Sequence, residues 1–161
     1  SPVTTFLPYT IDNQPYVLAG YTCTPLVKFP FAALKAGEKV VGTTIGEFGA
    51  GNTPLDMILY KKGGADFILM SNTRHGVFKI PTTGFATAQG ITTKVTGTGG
   101  VPFEKVASMV GVEQLDLLDA TRSIVVARAA LLDRGRRRSG LGIQAASRAA
   151  CSRPSFAAEI P

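Results

Sequence analysis

Histidine and cysteine are scarce in this chain of 161 residues, which holds one His and two Cys. With His75 alone there is no self-contained zinc site of the ordinary Cys/His type. Cys23 and Cys151 form neither a CxxC pair nor a disulfide framework, so cysteine usage leaves the compartment open. Cys23 precedes a strand-like run with no histidine close in sequence, and reads as a half-buried thiol. Charged residues are also sparse, at 17 % against 45 % hydrophobic, the balance of a globular chain and not a disordered one. No stretch approaches the roughly 20 consecutive apolar residues of a membrane-spanning helix. An initiator Met and a basic-then-apolar leader are both missing from the Ser-Pro-Val start, so the chain reads as a processed form or a fragment.

The net charge of +6 suggests a nucleic-acid partner until it is located. Residues 1–126 carry 10 Lys+Arg against 9 Asp+Glu, while residues 127–161 carry 7 against 2. The body is nearly neutral, and the basicity belongs to the tail.

Most of the information lies in residues 54–81, PLDMILYKKGGADFILMSNTRHGVFKIP. Leu55, Met57 and Leu59 alternate with Asp56, Ile58 and Tyr60, the two-residue period of a strand. Gly63-Gly64 supplies the two positive-φ positions of a tight hairpin. Phe67–Met70 is an apolar run of strand length, Asn72–Gly76 a polar turn, and Val77–Ile80 a third strand that Pro81 ends.

An earlier copy of this meander stands 51 residues upstream. Phe6 falls on Met57, Tyr9 on Tyr60, Tyr16-Val17-Leu18 on Phe67-Ile68-Leu69, and Leu26–Pro30 on Val77–Pro81. The offset continues from Val40 to Ile91 and from Gly46 to Gly97. Each unit therefore predicts four strands, at about 4–11, 16–22, 25–29 and 39–45, then about 55–62, 66–72, 77–80 and 91–96. Gly49–Asn52 and Gly97–Gly100 read as connectors closing the two units. A third copy begins at Gln114–Asp119 and Ile124–Val126, offset by 57, and then gives way to Arg134-Gly135-Arg136-Arg137-Arg138. A helix over 113–132 competes with that third copy, against the Val, Ile and Thr inside 121–126.

A four-stranded antiparallel unit repeating at this interval is the signature of a β-propeller blade. The central motif resembles the blades of NHL-type and related six-bladed propellers. Pro54, Met57, Ile58, Gly63-Gly64, Phe67–Met70, Ser71-Asn72, Arg74 and Val77–Ile80 follow the blade order, with Ser71 where many such blades carry Asp. The resemblance covers about residues 4–127 and predicts an all-β fold of propeller-like blades, each of four antiparallel strands. Blade 1 would span about 4–48, blade 2 about 54–97 and a partial blade 3 about 106–128. The propeller would be incomplete, and residues 129–161 would form an irregular or helical basic tail of non-native or disordered sequence.

The resemblance implies a non-catalytic binding or scaffold module, with extracytoplasmic origin and with exposed blade edges open to self-association. It also implies that Asn72, Arg74 and His75 form a binding rim for a protein or small molecule. An Asn bonding its own turn backbone is the competing explanation for Asn72. Two other functions are weighed. A lactonase or quinoprotein-like propeller enzyme would assemble its site from further blades. Nucleic-acid binding would use Arg134, Arg136, Arg137 and Arg138, but no aromatic platform lies between Phe103 and Phe156.

Other candidates read as ordinary structure. Ser71, His75 and Asp66 within one hairpin do not supply the geometry of a catalytic triad. Gly46-x-x-Gly49-x-Gly51 lacks the ending of a phosphate loop. Asp12, Glu47, Asp56 and Asp66 lack the spacing of a calcium loop. No catalytic residue, metal or cofactor is expected.

Overall fold

The computed structural model describes residues 2–23 and 25–128 and, for the backbone, residues 155–159. Three antiparallel sheets make up the fold, and none closes on itself. The first holds β1 (Val3–Ile11), β2 (Gln14–Tyr21), β3 (Pro25–Pro30), β4 (Thr43–Phe48) and, at its edge, β8 (Thr98–Gly100). The second runs β5 (Pro54–Lys62), β6 (Ala65–Asn72), β7 (Gly76–Pro81) and β9 (Glu104–Val106). The third runs β10 (Val112–Leu117), β11 (Arg122–Ala127) and β12 (Ser155–Glu159). A single 3-10 turn, Phe31–Ala33, is the helical element among the described residues. No helix there is long and apolar enough to cross a membrane.

Alternation and turn chemistry place the hairpins. β1 buries Thr5, Leu7 and Ile11 and exposes Phe6, Pro8 and Thr10, the period that one covered face imposes. Asp12 and Asn13 take φ of 47° and 60° at the β1–β2 turn, and Gly63 and Gly64 take 58° and 79° at the β5–β6 turn. Both are two-residue loops with the left-handed backbone whose twist suits flanking strands. Asp and Asn tolerate that region through local side-chain bonding, so the non-glycine loop makes the same turn.

The bounds of β1, β2 and β3 recur 51 residues later in β5, β6 and β7. The same bulge also recurs. Pairing slips between Val3 and Thr5, between Pro54 and Asp56, and between Val112 and Gln114. The bulge places the third hairpin 58 residues after the second, one more than the offset of 57 read from composition. It also shows residues 112–117 and 122–127 as strands, so the helix over 113–132 does not form within the described residues.

Two cores hold the sheets face to face. Leu7, Leu18, Leu26, Ile45 and Phe48 of the first sheet meet Met57, Ile68, Met70, Phe78 and Ile80 of the second. The other face of the second sheet, with Tyr60, Leu69 and Val77, meets Val112, Leu115 and Val125 of the third. The second sheet is therefore covered on both faces, which explains why Phe67–Met70 reads as an unbroken apolar run.

Three strand assignments need correction. The fourth strand of the first sheet is Thr43–Phe48, not 39–45. Residues 91–96 form no strand, and the fourth strand of the second sheet is Glu104–Val106. Gly97–Gly100 is no free connector: Thr98–Gly100 returns to pair with β4 of the first sheet, and the Val101 N–H donates to the Ile45 carbonyl at 2.9 Å. Glycine makes that return feasible, because a Cβ on Gly100, at φ 82°, would collide with the same Ile45 carbonyl. The sheet edge thus accepts a strand with almost no side chain.

Candidate functional site

Tyr9, on the face of β1 turned to the first core, begins a groove. Tyr9 pairs with Tyr16, and Tyr16 with Pro30, in a ladder across β1, β2 and β3. In the second sheet Tyr60 pairs with Phe67, and Phe67 with Pro81. Each ladder has a lysine beside it: Lys28 Nζ stands 5.9 Å from the Tyr16 ring centre, and Lys79 Nζ 4.8 Å from that of Phe67.

Between the first two sheets, at the end carrying the β1–β2 and β5–β6 turns, Tyr9 and Tyr16 border a groove of about 570 Å³. Pro8, Tyr9, Pro15, Tyr16 and Phe31 supply its apolar wall, and Lys61 and Asp66 its polar lip. The Tyr9 hydroxyl lies 3.2 Å from Asp66 Oδ2 and 2.9 Å from Thr82 Oγ1, and has one proton to donate. Thr82 donates in turn to the Asp66 carbonyl at 3.0 Å. Lys61 Nζ donates to Asp66 Oδ1 at 2.8 Å, and this bond raises the lysine pKa. Edge-on packing of Tyr9 against Phe85, with centroids 6.1 Å apart, fixes the ring. Lys28 donates to the Phe85 carbonyl at 2.7 Å, which anchors the ammonium over Tyr16.

A smaller groove of about 260 Å³ lies at the second aromatic ladder, lined by Phe67, Lys79, Pro81, Pro102, Phe103 and Glu104. Glu104 accepts from Lys79 at 2.9 Å and raises its pKa; burial raises that of Tyr60, which stacks on Phe67 at 5.5 Å.

The rim named from sequence lies at the opposite end of the sheet. Asn72 is six residues along β6 from Asp66, about 20 Å at the rise of a strand. It is 3 % exposed and works inward. Its amide nitrogen donates to the Met70 and Gly76 carbonyls at 2.9 and 3.3 Å, and its oxygen accepts from Asn52 at 3.0 Å. The Asn52 oxygen accepts from the Arg74 N–H at 3.0 Å and from the Thr73 hydroxyl at 3.4 Å. This pair ties the β4–β5 connector to the β6–β7 turn. Arg74 is exposed, whereas His75 is half-buried with its ring stacked on Phe78, 18° from parallel. Of the three, Arg74 alone has an exposed side chain.

The remaining candidates are dispersed. Asp56 bridges sheets, accepting from the Met57 N–H at 2.9 Å and the Leu115 N–H at 2.8 Å. Glu47 sits in β4, where burial raises its pKa, and Asp12 is an exposed turn residue. No group of three His, Cys, Asp or Glu converges among the described residues. Cys23, read as half-buried, is exposed and takes φ 71° in the β2–β3 turn, where the chain reverses away from both cores. Arg134, Arg136, Arg137 and Arg138 lie outside the described residues.

No family model, curated protein or solved structure matches this chain. The groove residues were missed in sequence because Tyr9 and Asp66 are 57 positions apart. The available signal was the Tyr-x₆-aromatic spacing of Tyr9/Tyr16 and Tyr60/Phe67, which places two rings side by side across each hairpin.

Proposed function

We propose that this chain is a non-catalytic binding module built from propeller-type sheets, with the Tyr9–Tyr16–Phe31 groove as its ligand site. The observation that carries the reading is the groove itself. Tyrosine and phenylalanine offer broad, stiff contact area with two side-chain torsions each, so little entropy is lost when a ligand settles. Phe31 is 60 % exposed, apolar surface that a ligand would cover. Lys61 and Asp66 at the lip supply a donor and an acceptor for orientation. The recurring hairpin bounds, bulge and lysine-over-aromatic ladder support the propeller-type reading of the sheets.

A screen of peptides and saccharides against labelled protein tests it. Ligand shifts are expected on Tyr9, Tyr16 and Phe31, with a tenfold or greater loss of affinity in Tyr16→Ala, about 1.4 kcal/mol. Ligands mapping to Arg74 and His75, unaffected by Tyr16→Ala, would move the site to the other end of the sheet. Turnover of a lactone offered to the same protein would replace the binding reading with an enzymatic one.

A further inference from the structure

The third sheet takes its third strand from far along the chain. In the first two sheets the second and third strands are joined by residues 22–24 and 73–75, whereas β11 and β12 are joined by residues 128–154. Closing the longer connection costs more chain entropy, so β12 depends more on its ladder than β3 or β7 does.

That ladder is short and interrupted. β3 pairs with β2 residue for residue from Tyr16↔Pro30 to Gly20↔Leu26, and β7 with β6 from Phe67↔Pro81 to Asn72↔Gly76. β12 meets β11 at Arg122↔Glu159, Ser123↔Ala158 and Val125↔Ser155, with a slip between the last two. Val126 and Ala127 correspond to Ser71 and Asn72, which pair with Val77 and Gly76; among the described residues they lie beyond the β12 ladder.

Register also shows what the position is shaped for. Leu115↔Val125 stands where the second sheet has Met57↔Met70, and Leu117↔Ser123 where it has Leu59↔Ile68. The next residues along those two ladders of the second sheet are Phe78 and Ile80, both fully buried. In the third sheet they are Ser155 and Ala158, and Phe156 falls inside the slip. Leu115 and Val125 belong to the second core, so a position continuous with that core holds a serine.

We propose that the outer edge of β11 is a strand-acceptor site for an extended apolar segment of another protein, with Ser155–Glu159 as its displaceable occupant. Main-chain groups of an edge bond any antiparallel strand, and side chains at alternate positions select which one. A segment with the pattern of Val77–Ile80 would restore the uninterrupted ladder and set Phe and Ile at the positions of Ser155 and Ala158, burying more apolar area. The same strand from a second copy would bring only the same interrupted ladder. A connection as long as 128–154 also lacks the short hinge that drives exchange between copies. No residue of β11 lines the Tyr9–Tyr16–Phe31 groove, so this site is separate from the proposed ligand site.

A fluorescent peptide with the sequence of residues 76–81, Gly-Val-Phe-Lys-Ile-Pro, titrated into the whole 161-residue chain tests this by anisotropy. Saturable binding is expected, with faster hydrogen exchange over residues 155–159 and unchanged exchange over 122–127. Ala157→Pro combined with Ala158→Pro bars a ladder at β12. This double variant is expected to bind the peptide about tenfold more tightly, because the edge is vacant in a larger fraction of molecules. A peptide with Asp in place of its Phe and Ile is expected to bind at least about tenfold more weakly. Tyr16→Ala is expected to leave peptide binding unchanged. No binding to either chain, binding without faster exchange over 155–159, equal affinity for parent and double variant, or binding lost in Tyr16→Ala would each overturn the proposal. So would a dimer that exchanges residues 155–159 between copies, which sedimentation velocity detects. Circular dichroism checks that the double variant keeps its sheets; where it does not, exchange in the parent chain decides.

Discussion

Asn52 and Asn72 are both buried amides, at 0 % and 3 % exposed. Buried amides persist only when their donors and acceptors are matched, and these two match each other and four neighbouring groups. Asn52→Ala leaves the Asn72 oxygen and the Arg74 N–H without their partner, so urea unfolding is expected to show a loss of about 1–3 kcal/mol. An unchanged midpoint would mean that water replaces the amide. Asp119 behaves differently because it is exposed. The Thr121 backbone N–H, with the Arg122 guanidinium second, holds its pKa at about 2, below the ordinary 3.8. Between those values the unfolded chain binds more protons than the folded one, so stability rises with pH. The contribution of Asp119 is expected to be complete above about pH 4 and to fade as pH falls towards 2. Thermal midpoints of Asp119→Asn should show a correspondingly shallower acid limb, and an unaltered limb would remove the carboxylate from the account.

At the level of elements, the hairpins were legible in the sequence and the short outer strands were not. Lys61-Lys62-Gly63-Gly64 between an alternating run and an unbroken apolar one leaves few options, because two positive-φ residues in a row demand a tight turn. Thr98–Gly100 and Glu104–Val106 are three residues each, too short for any period to show. Their partners are chosen by neighbouring sheet edges, which no local window contains. Glycine at position 100 reads as a flexible joint in sequence, and in the fold it stands where a Cβ would strike the Ile45 carbonyl. Gly100→Ala is expected to detach β8 from β4, since it adds both a steric clash and a strained φ. Hydrogen exchange reads this at the Val101 amide, which donates to Ile45; retained protection there would show that the strand tolerates a side chain.

Across the whole molecule, stability depends on stacking, because no single sheet has two dry faces by itself. Phe78 is the pivot of the first core, fully buried with its ring centre 5.8 Å from Phe48 and 4.5 Å from Phe103. Phe78→Ala is expected to cost about 3–5 kcal/mol and to lower the transition of the first two sheets together. Separate transitions in calorimetry would show that the sheets are energetically independent.

The sequence by itself determined the all-β class, the central hairpins and the 51-residue register, since these follow from side-chain period, left-handed turn residues and strand length. It also marked Asn72, Arg74 and His75 as one turn, but could not tell an inward amide from an exposed guanidinium. Tertiary structure decided the rest. Stacking two sheets brought Tyr9 within hydrogen-bond reach of Asp66, sent Thr98–Gly100 back to the first sheet, and left Phe6 exposed where its counterpart Met57 is covered. These are contacts between residues far apart in the chain, and which face a sheet buries depends on what lies against it.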